Sequence, residues 1–180
     1  MNSCDTIEMF YNIRTDLDKI KYAVHITKII QDVTQEDENC YRILQLFLNT
    51  LYIISETEKN MDFILSVFKL KLLCMIGFKP RLNECTNCGK KENFIAFSIK
   101  DNGVKCNECK LQDKSAINIS NSTWVALKYI AECPIKSLYN FNLKGESLKE
   151  LELISKVYFN EKLEKEYKLE DFFHLGTVLF

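Results

Sequence analysis

The chain has 180 residues, 47% apolar and 27% charged, with a net charge of −1. A chain of this length buries roughly 70% of the surface its unfolded form exposes, so it needs neither metal nor disulfides merely to fold, and the composition excludes wholesale disorder. Only five Gly and two Pro interrupt it, which favours long helices over a many-turned sandwich or barrel.

No stretch approaches the roughly eighteen consecutive apolar residues of a membrane span, and the start lacks the basic and apolar regions of a secretory signal. Eight cysteines would suit a disulfide scaffold, but Cys4, Cys40, Cys74 and Cys133 are scattered singly, so a reducing compartment fits better. The near-neutral total conceals an asymmetry: residues 1–64 carry −5, residues 65–114 carry +5 and residues 115–180 carry −1.

In chain order, Thr15-Asp16-Leu17-Asp18 reads as a helix start, with Leu17, Ile20 and Val24 following on one face. Thr34 and Asp37 repeat the signal before Tyr41, Leu44, Leu48 and Leu51. A third helix carries Met61, Ile64, Leu65, Phe68, Leu72 and Met75 on one stripe and stops at Gly77, with Pro80 beyond. Short polar links between these three predict antiparallel neighbours. Lys69 and Lys71 flank Leu70 on the third helix. They are either its solvated edge or the cationic frame of an acidic peptide docked beside the apolar stripe.

The texture changes at about 83–112. Phe94–Ile99, then Lys100-Asp101-Asn102-Gly103 and Val104, predicts two short strands around an Asn-Gly turn. Phe94 and Phe97 are its small core rather than base-stacking platforms. Farther on, Asn121 or Ser122 caps a helix bearing Trp124, Leu127, Tyr129 and Ile130 and ending near Cys133-Pro134. Ser147-Leu148-Lys149-Glu150 reads as a capping box before Leu151, Ile154 and Tyr158. Residues 161–171 read as a solvated helical face or a frayed tail. The fold expected is mainly α, one helical domain over 1–180 with a small Cys₄ zinc ribbon inserted at about 83–112.

The ribbon's motif is Cys85-x₂-Cys88-x₁₇-Cys106-x₂-Cys109. Two residues between cysteines let both sulfurs turn toward one point, and Gly89 suits the positive φ of such a turn. Four thiolates in a tetrahedron match d¹⁰ Zn²⁺ and leave no open coordination position, so the expected ion is one structural zinc. An iron–sulfur site, a redox pair and disulfides are the lesser alternatives. The ion lowers the positive segment to about +3. Lys90, Lys91, Lys105 and Lys110 lie around the turns. They either track a phosphate backbone or solubilise a small module.

Catalytic motifs are missing: there is no His-x-Glu of a zinc deaminase and no phosphate-cradling P-loop. Only two histidines occur, and His25 reads as a packed or surface residue of its helix. An enzyme is not expected.

Phe68-Lys69-Leu70-Lys71-Leu72-Leu73, then Gly77-Phe78-Lys79-Pro80-Arg81-Leu82 and Cys85-Thr86-Asn87-Cys88-Gly89, resembles the bacterial RecO family. Phe97-Ser98, Gly103, Cys106 and Cys109 continue the likeness. Ile13-Arg14-Thr15-Asp16-Leu17 and Tyr22-Ala23 are similar to the start of that family's helical domain. The likeness runs over about 7–112 and is loose beyond. It implies a recombination mediator of the bacterial cytoplasm and nucleoid that binds and anneals single- and double-stranded DNA, acts with RecR, engages the acidic tail of single-stranded DNA-binding protein (SSB) and helps load RecA. The family begins with an OB-fold that the residues before Asp5 could not hold, so DNA binding by this stretch alone is expected to be weak. A zinc-stabilised protein-interaction module without DNA binding is the alternative.

Overall fold

Aspartate at a helix start, Gly at a helix end and one cluster of paired cysteines set the main boundaries of the chain. A computed structural model describes residues 8–34 and 40–169. It contains α1 (Tyr11–Arg14), α2 (Leu17–Val33), α3 (Tyr41–Glu56), α4 (Met61–Met75), β1 (Phe94–Ser98), β2 (Gly103–Cys106), α5 (Asn107–Lys110), β3 (Ile117–Asn118), α6 (Asn121–Glu132) and α7 (Glu146–Leu163). The fold is mostly helical with one small antiparallel sheet, as the composition predicts. The described residues fall into two compact units, residues 8–34 and 40–61 with 168–169, and residues 62–167.

In the first unit, Asp16 caps α2 by accepting from the N–H groups of Asp18 (2.8 Å) and Lys19 (3.2 Å), satisfying donors that have no partner inside the helix. The predicted face is wrong. Leu17 is 80% exposed and Val24 is exposed, while Lys19, His25, Ile26 and Ile29 are buried. The Lys19 ammonium donates to the Ser55 carbonyl (3.3 Å) and pairs with Glu58 (3.4 Å), tying α2 to the end of α3. On α3 the buried residues are Leu46, Thr50, Ile54 and Ser55, whereas Tyr41, Leu44 and Leu48 are exposed. Thr34 terminates α2, its N–H bonding the Ile30 carbonyl at 3.1 Å, instead of starting the next helix. Asp37 lies outside the described residues.

The second unit is built around α4, in which every residue from Phe63 to Leu73 is buried. The expected single stripe is therefore a helix covered all round, and Lys69 and Lys71 are not its solvated edge. Gly77, at φ 101°, and the Phe78 N–H bond to the Leu73 carbonyl (2.8 Å) close α4 in a Schellman turn. On α7, Leu151, Ile154 and Tyr158 are buried as predicted. The capping box is different. Ser147 and Glu150 lie inside α7, and Glu150 Oε2 accepts from the Ser120 N–H (2.8 Å), the Ser120 hydroxyl (2.9 Å) and the Thr123 hydroxyl. Its carboxylate thus caps the neighbouring helix α6, whose N-cap is Ser120. Past the end of α7, Tyr167 is buried with its ring 5.4 Å from Phe159, so this part of the predicted solvated tail is packed.

The sheet order is β2-β1-β3, with a third strand that the two-strand reading did not include. Phe97, fully buried, meets Tyr158 edge-on at 5.4 Å, and Phe94 lies 5.4 Å from Trp124. Both phenylalanines are core. The hairpin turns through Ile99–Asn102 with Asn102 at φ 54°, so Gly103 is the first strand residue, not half of a two-residue turn. Its role is close approach. A Cβ there would stand 2.3 Å from the Arg81 carbonyl oxygen and 2.8 Å from a Thr86 methyl. The lead-in to the first cysteine pair presses against β2 at this point, Val104 N–H bonding Arg81 O (3.0 Å) and Thr86 N–H bonding Val104 O (3.0 Å). Gly103→Ala should cost about 2 kcal/mol by overpacking. Urea titration is the check, and wild-type stability in the variant would refute this account.

Candidate metal centre

Cys85 and Cys88 lie on the turn before β1, Cys106 ends β2 and Cys109 lies in α5. Their four sulfurs all lie within 4.8 Å of one another. Local backbone explains the convergence. The first turn closes through Gly89 N–H to Cys85 O (2.9 Å) and Cys85 N–H to Lys90 O (2.7 Å), with Gly89 at φ 73°. Register then slips between Phe94 and Ala96 in β1, a bulge that leaves Phe94 opposite Cys106. The Thr86 bond to Val104 fixes one pair against the other.

The donor set fits a tetrahedral thiolate-bound ion. Cys88 and Cys106 sulfurs are 3.6 Å apart, close to the roughly 3.8 Å edge of a tetrahedron with metal–sulfur bonds of about 2.3 Å. It is far from the roughly 2.0 Å of a disulfide. The Cys85 thiol is pulled down to about 6 despite its burial, because backbone N–H groups of Cys106, Asn87 and Cys88 favour the thiolate. Cys109 is pushed up to about 12: the Asn87 amide opposes the rise, and burial and the neighbouring thiols cause it. A divalent cation is the partner that allows four such groups to be thiolates together. The four cysteines could hold a metal ion.

The basic residues around the centre separate into three kinds. Lys90 is exposed and paired with Glu108 at 2.7 Å, a bond that raises its pKa. Lys91 is exposed, and Lys110 is half-buried. Lys105 is 3% exposed; burial alone would lower its pKa, but the Asp101 carboxylate at 2.5 Å more than offsets this and raises it. The expectation of a surface cation at Lys105 is therefore corrected. Its buried ammonium belongs to a network with the half-exposed Asp101, which also receives Ser98, itself bonded to Asp113 at 2.6 Å. An open groove of about 540 Å³ beside the centre is lined by Lys90, Lys91, Asn93, Asn107 and Glu108, among others.

Lys69 and Lys71 lie elsewhere and are 5% and 6% exposed. Lys71 donates to the carbonyls of Ile130 (3.1 Å) and Cys133 (2.7 Å) at the end of α6, while the Lys69 ammonium stands 5.4 Å from the Phe159 ring centre. Neither burial nor these partners suits a freely reached anion site. Asn87, to which the motif alone gives no role, donates its amide to the Cys109 sulfur (3.5 Å) and Gln112 (3.3 Å). An amide inside a Cys-x₂-Cys turn was the available signal. Trp124, expected on its helix with Leu127 and Ile130, also donates its indole N–H to the Leu82 carbonyl at 2.9 Å, in the lead-in to the first turn.

A helical body with a thiolate cluster on a small sheet has a counterpart among known proteins. The family model described as "Recombination protein O C terminal" matches residues 14–170. The DNA repair protein RecO of Acetivibrio thermocellus is 39% identical over 173 residues, which cover 96% of this chain and 69% of that protein. The proteins of the same name from Alkaliphilus metalliredigens and a Thermoanaerobacter species are each 30% identical, covering 100% and 93% of this chain and 69% and 68% of their own lengths. The chain belongs to the RecO family of DNA repair proteins. Among the described residues no helix is long and apolar enough to cross a membrane.

Proposed function

We propose that this chain serves homologous recombination in the bacterial cytoplasm as the helical and zinc-bearing part of a RecO-type mediator, without a catalytic step of its own. The family match carries the reading. On it, the chain is one helical domain with the zinc module at about 83–112 inserted, and it works through partners: RecR, the acidic SSB tail, DNA during annealing, and RecA during loading. Zinc at Cys85, Cys88, Cys106 and Cys109 supplies structure, holding the two turns together. Lys90, Lys91 and Lys110 are the cations offered to phosphate, with Lys105 holding the turn behind them. A site for the acidic tail framed by Lys69 and Lys71 would require both ammoniums to leave their buried positions.

DNA contact by so few cations should be weak, sequence-blind and salt-sensitive. Neutralising roughly two or three phosphates gives a logarithmic salt slope of about 2 to 3 on duplex. Fluorescence anisotropy with labelled oligonucleotides across a salt series reads that slope. Tight binding insensitive to salt would refute it. The pairing of Lys90 with Glu108 and the burial of Lys105 favour a second reading, a zinc-stabilised protein-interaction module. On that reading no DNA binding appears at low salt, while RecR or the SSB tail is still captured.

A further inference from the structure

The four sulfurs of the centre are not equivalent. Cys85, Cys106 and Cys109 are 2%, 3% and 6% exposed, whereas Cys88 is exposed to solvent. Hydrogen bonds to sulfur are also uneven. Cys106 N–H donates to the Cys85 sulfur at 3.4 Å and the Asn87 amide to the Cys109 sulfur at 3.5 Å. Among the described residues no N–H donates to the sulfur of Cys88 or of Cys106, but Cys106 is buried. N–H···S bonds withdraw charge from a thiolate, and burial shields it from a reagent. Cys88 lacks both protections, and the Cys106 sulfur lies 3.6 Å from it.

We propose that Cys88 is a modification site at which a hydroperoxide oxidant opens the zinc centre. The inference rests on the zinc reading given above. The Cys88 thiolate attacks one peroxide oxygen. The O–O bond breaks, leaving a sulfenic acid on Cys88 and releasing hydroxide or alkoxide. The Cys106 thiolate then attacks the sulfenic sulfur, an S–S bond forms, and a second hydroxide departs. Two thiolates together lose two electrons, the peroxide gains them, and two solvent protons neutralise the anions released. Zinc stays Zn²⁺ throughout. With only Cys85 and Cys109 left as thiolates it lacks half of its ligands and leaves. A dithiol reverses the step by exchange, and zinc rebinds. The Lys90–Glu108 ion pair joins the two turns, so opening the centre also dismantles the cationic surface beside it.

The test uses the full zinc-loaded chain. Its metal content is measured first: one zinc per chain is expected, and none would refute the zinc reading itself before any oxidant is added. Hydrogen peroxide is then titrated in, zinc release is followed with a chromophoric chelator, and thiols are mapped by isotope-coded iodoacetamide and peptide mass spectrometry. Cys88 should be the first thiol lost. A Cys88–Cys106 disulfide peptide should accumulate in step with free zinc, and dithiothreitol should reverse both. Cys88→His keeps a four-ligand zinc site and should release its metal at least roughly tenfold more slowly, because the exposed thiolate is gone. The proposal is overturned if another cysteine is oxidised first, if zinc stays bound while Cys88 is oxidised, or if Cys88→His releases zinc as fast as wild type. Should that variant bind no zinc, the thiol map of the unmodified chain decides alone.

Discussion

Cys85→Ser or Cys106→Ser should abolish stoichiometric zinc and unfold residues 83–112 while leaving most of the helical signal intact. Structural zinc binding in finger-type sites is worth roughly 10–16 kcal/mol, far more than the few residues of this sheet can supply by burial. The sheet's interior is small: Phe94, Ala96, Phe97 and Val104 are its buried apolar residues, with Cys85 and Cys106 beside them. Two strands of five and four residues and a third of two do not make an independently stable sheet. The helices have their own support. Ile26, Ile29, Leu46 and Ile54 are fully buried in the first unit, and α4, Leu151 and Ile154 form the core of the second. Elemental analysis should therefore fall from one zinc per chain to none, helical circular dichroism should persist, and hydrogen-exchange protection should vanish between Cys85 and Cys109. Zinc content indifferent to both substitutions, or an iron–sulfur absorption spectrum, would refute the assignment.

The four metal-binding candidates were legible because their chemistry is local. The first Cys-x₂-Cys turn needs only its own backbone and one permissive glycine, and the second pair is brought together by the single turn of helix α5. Helix existence was legible for the same reason, since Asp16 and Gly77 act within a turn of themselves; the cap of α6 is Ser120, one or two residues before the expected Asn121 or Ser122. The buried face was not. On α2 the sequence points to Leu17, Ile20 and Val24 as the apolar stripe, but the fold buries Ile26 and Ile29 instead, on the side that carries Lys19 to the Ser55 carbonyl and Glu58. That choice depends on a helix more than thirty residues away. The same limit applies to Glu150. Read locally it completes a capping box with Ser147; in the fold it reaches thirty residues back to Ser120. A lysine's surroundings are equally non-local, and for that reason Lys69, Lys71 and Lys105 read as surface cations although all three are buried.

Two residues apart on α4, Lys69 and Lys71 should have opposite effects on stability when each is replaced by methionine. Lys71 is the one whose charge is used. Its ammonium donates to the Ile130 and Cys133 carbonyls, acceptors at the end of α6 that the helix itself cannot satisfy. Lys71→Met leaves them without that donor and should cost about 3 kcal/mol, the range of hydrogen bonds to a charged group. Lys69 has no comparable anchor. Burial, with Lys156 adding repulsion and Asp62 only partly offsetting both, pulls its pKa from 10.5 to about 8. That shift corresponds to roughly 3 kcal/mol of destabilisation at pH 7, against which the contact with the Phe159 ring returns about 1 kcal/mol. Lys69→Met should therefore stabilise the fold by about 2 kcal/mol at pH 7. The pH dependence follows from linkage. Between pH 8 and pH 10.5 the unfolded chain binds the Lys69 proton while the folded chain has released it, so the wild type gains stability as pH rises through this window. The Cys74 thiol, raised by burial to about 11, acts in the opposite direction above pH 9, but it is common to both proteins and drops out of their difference. The advantage of Lys69→Met should narrow by about 2 kcal/mol between pH 7 and pH 9.5. Urea denaturation of both proteins at the two pH values measures it. A destabilised Lys69→Met, or a difference that does not change with pH, would show that the Lys69 charge is well accommodated in the fold.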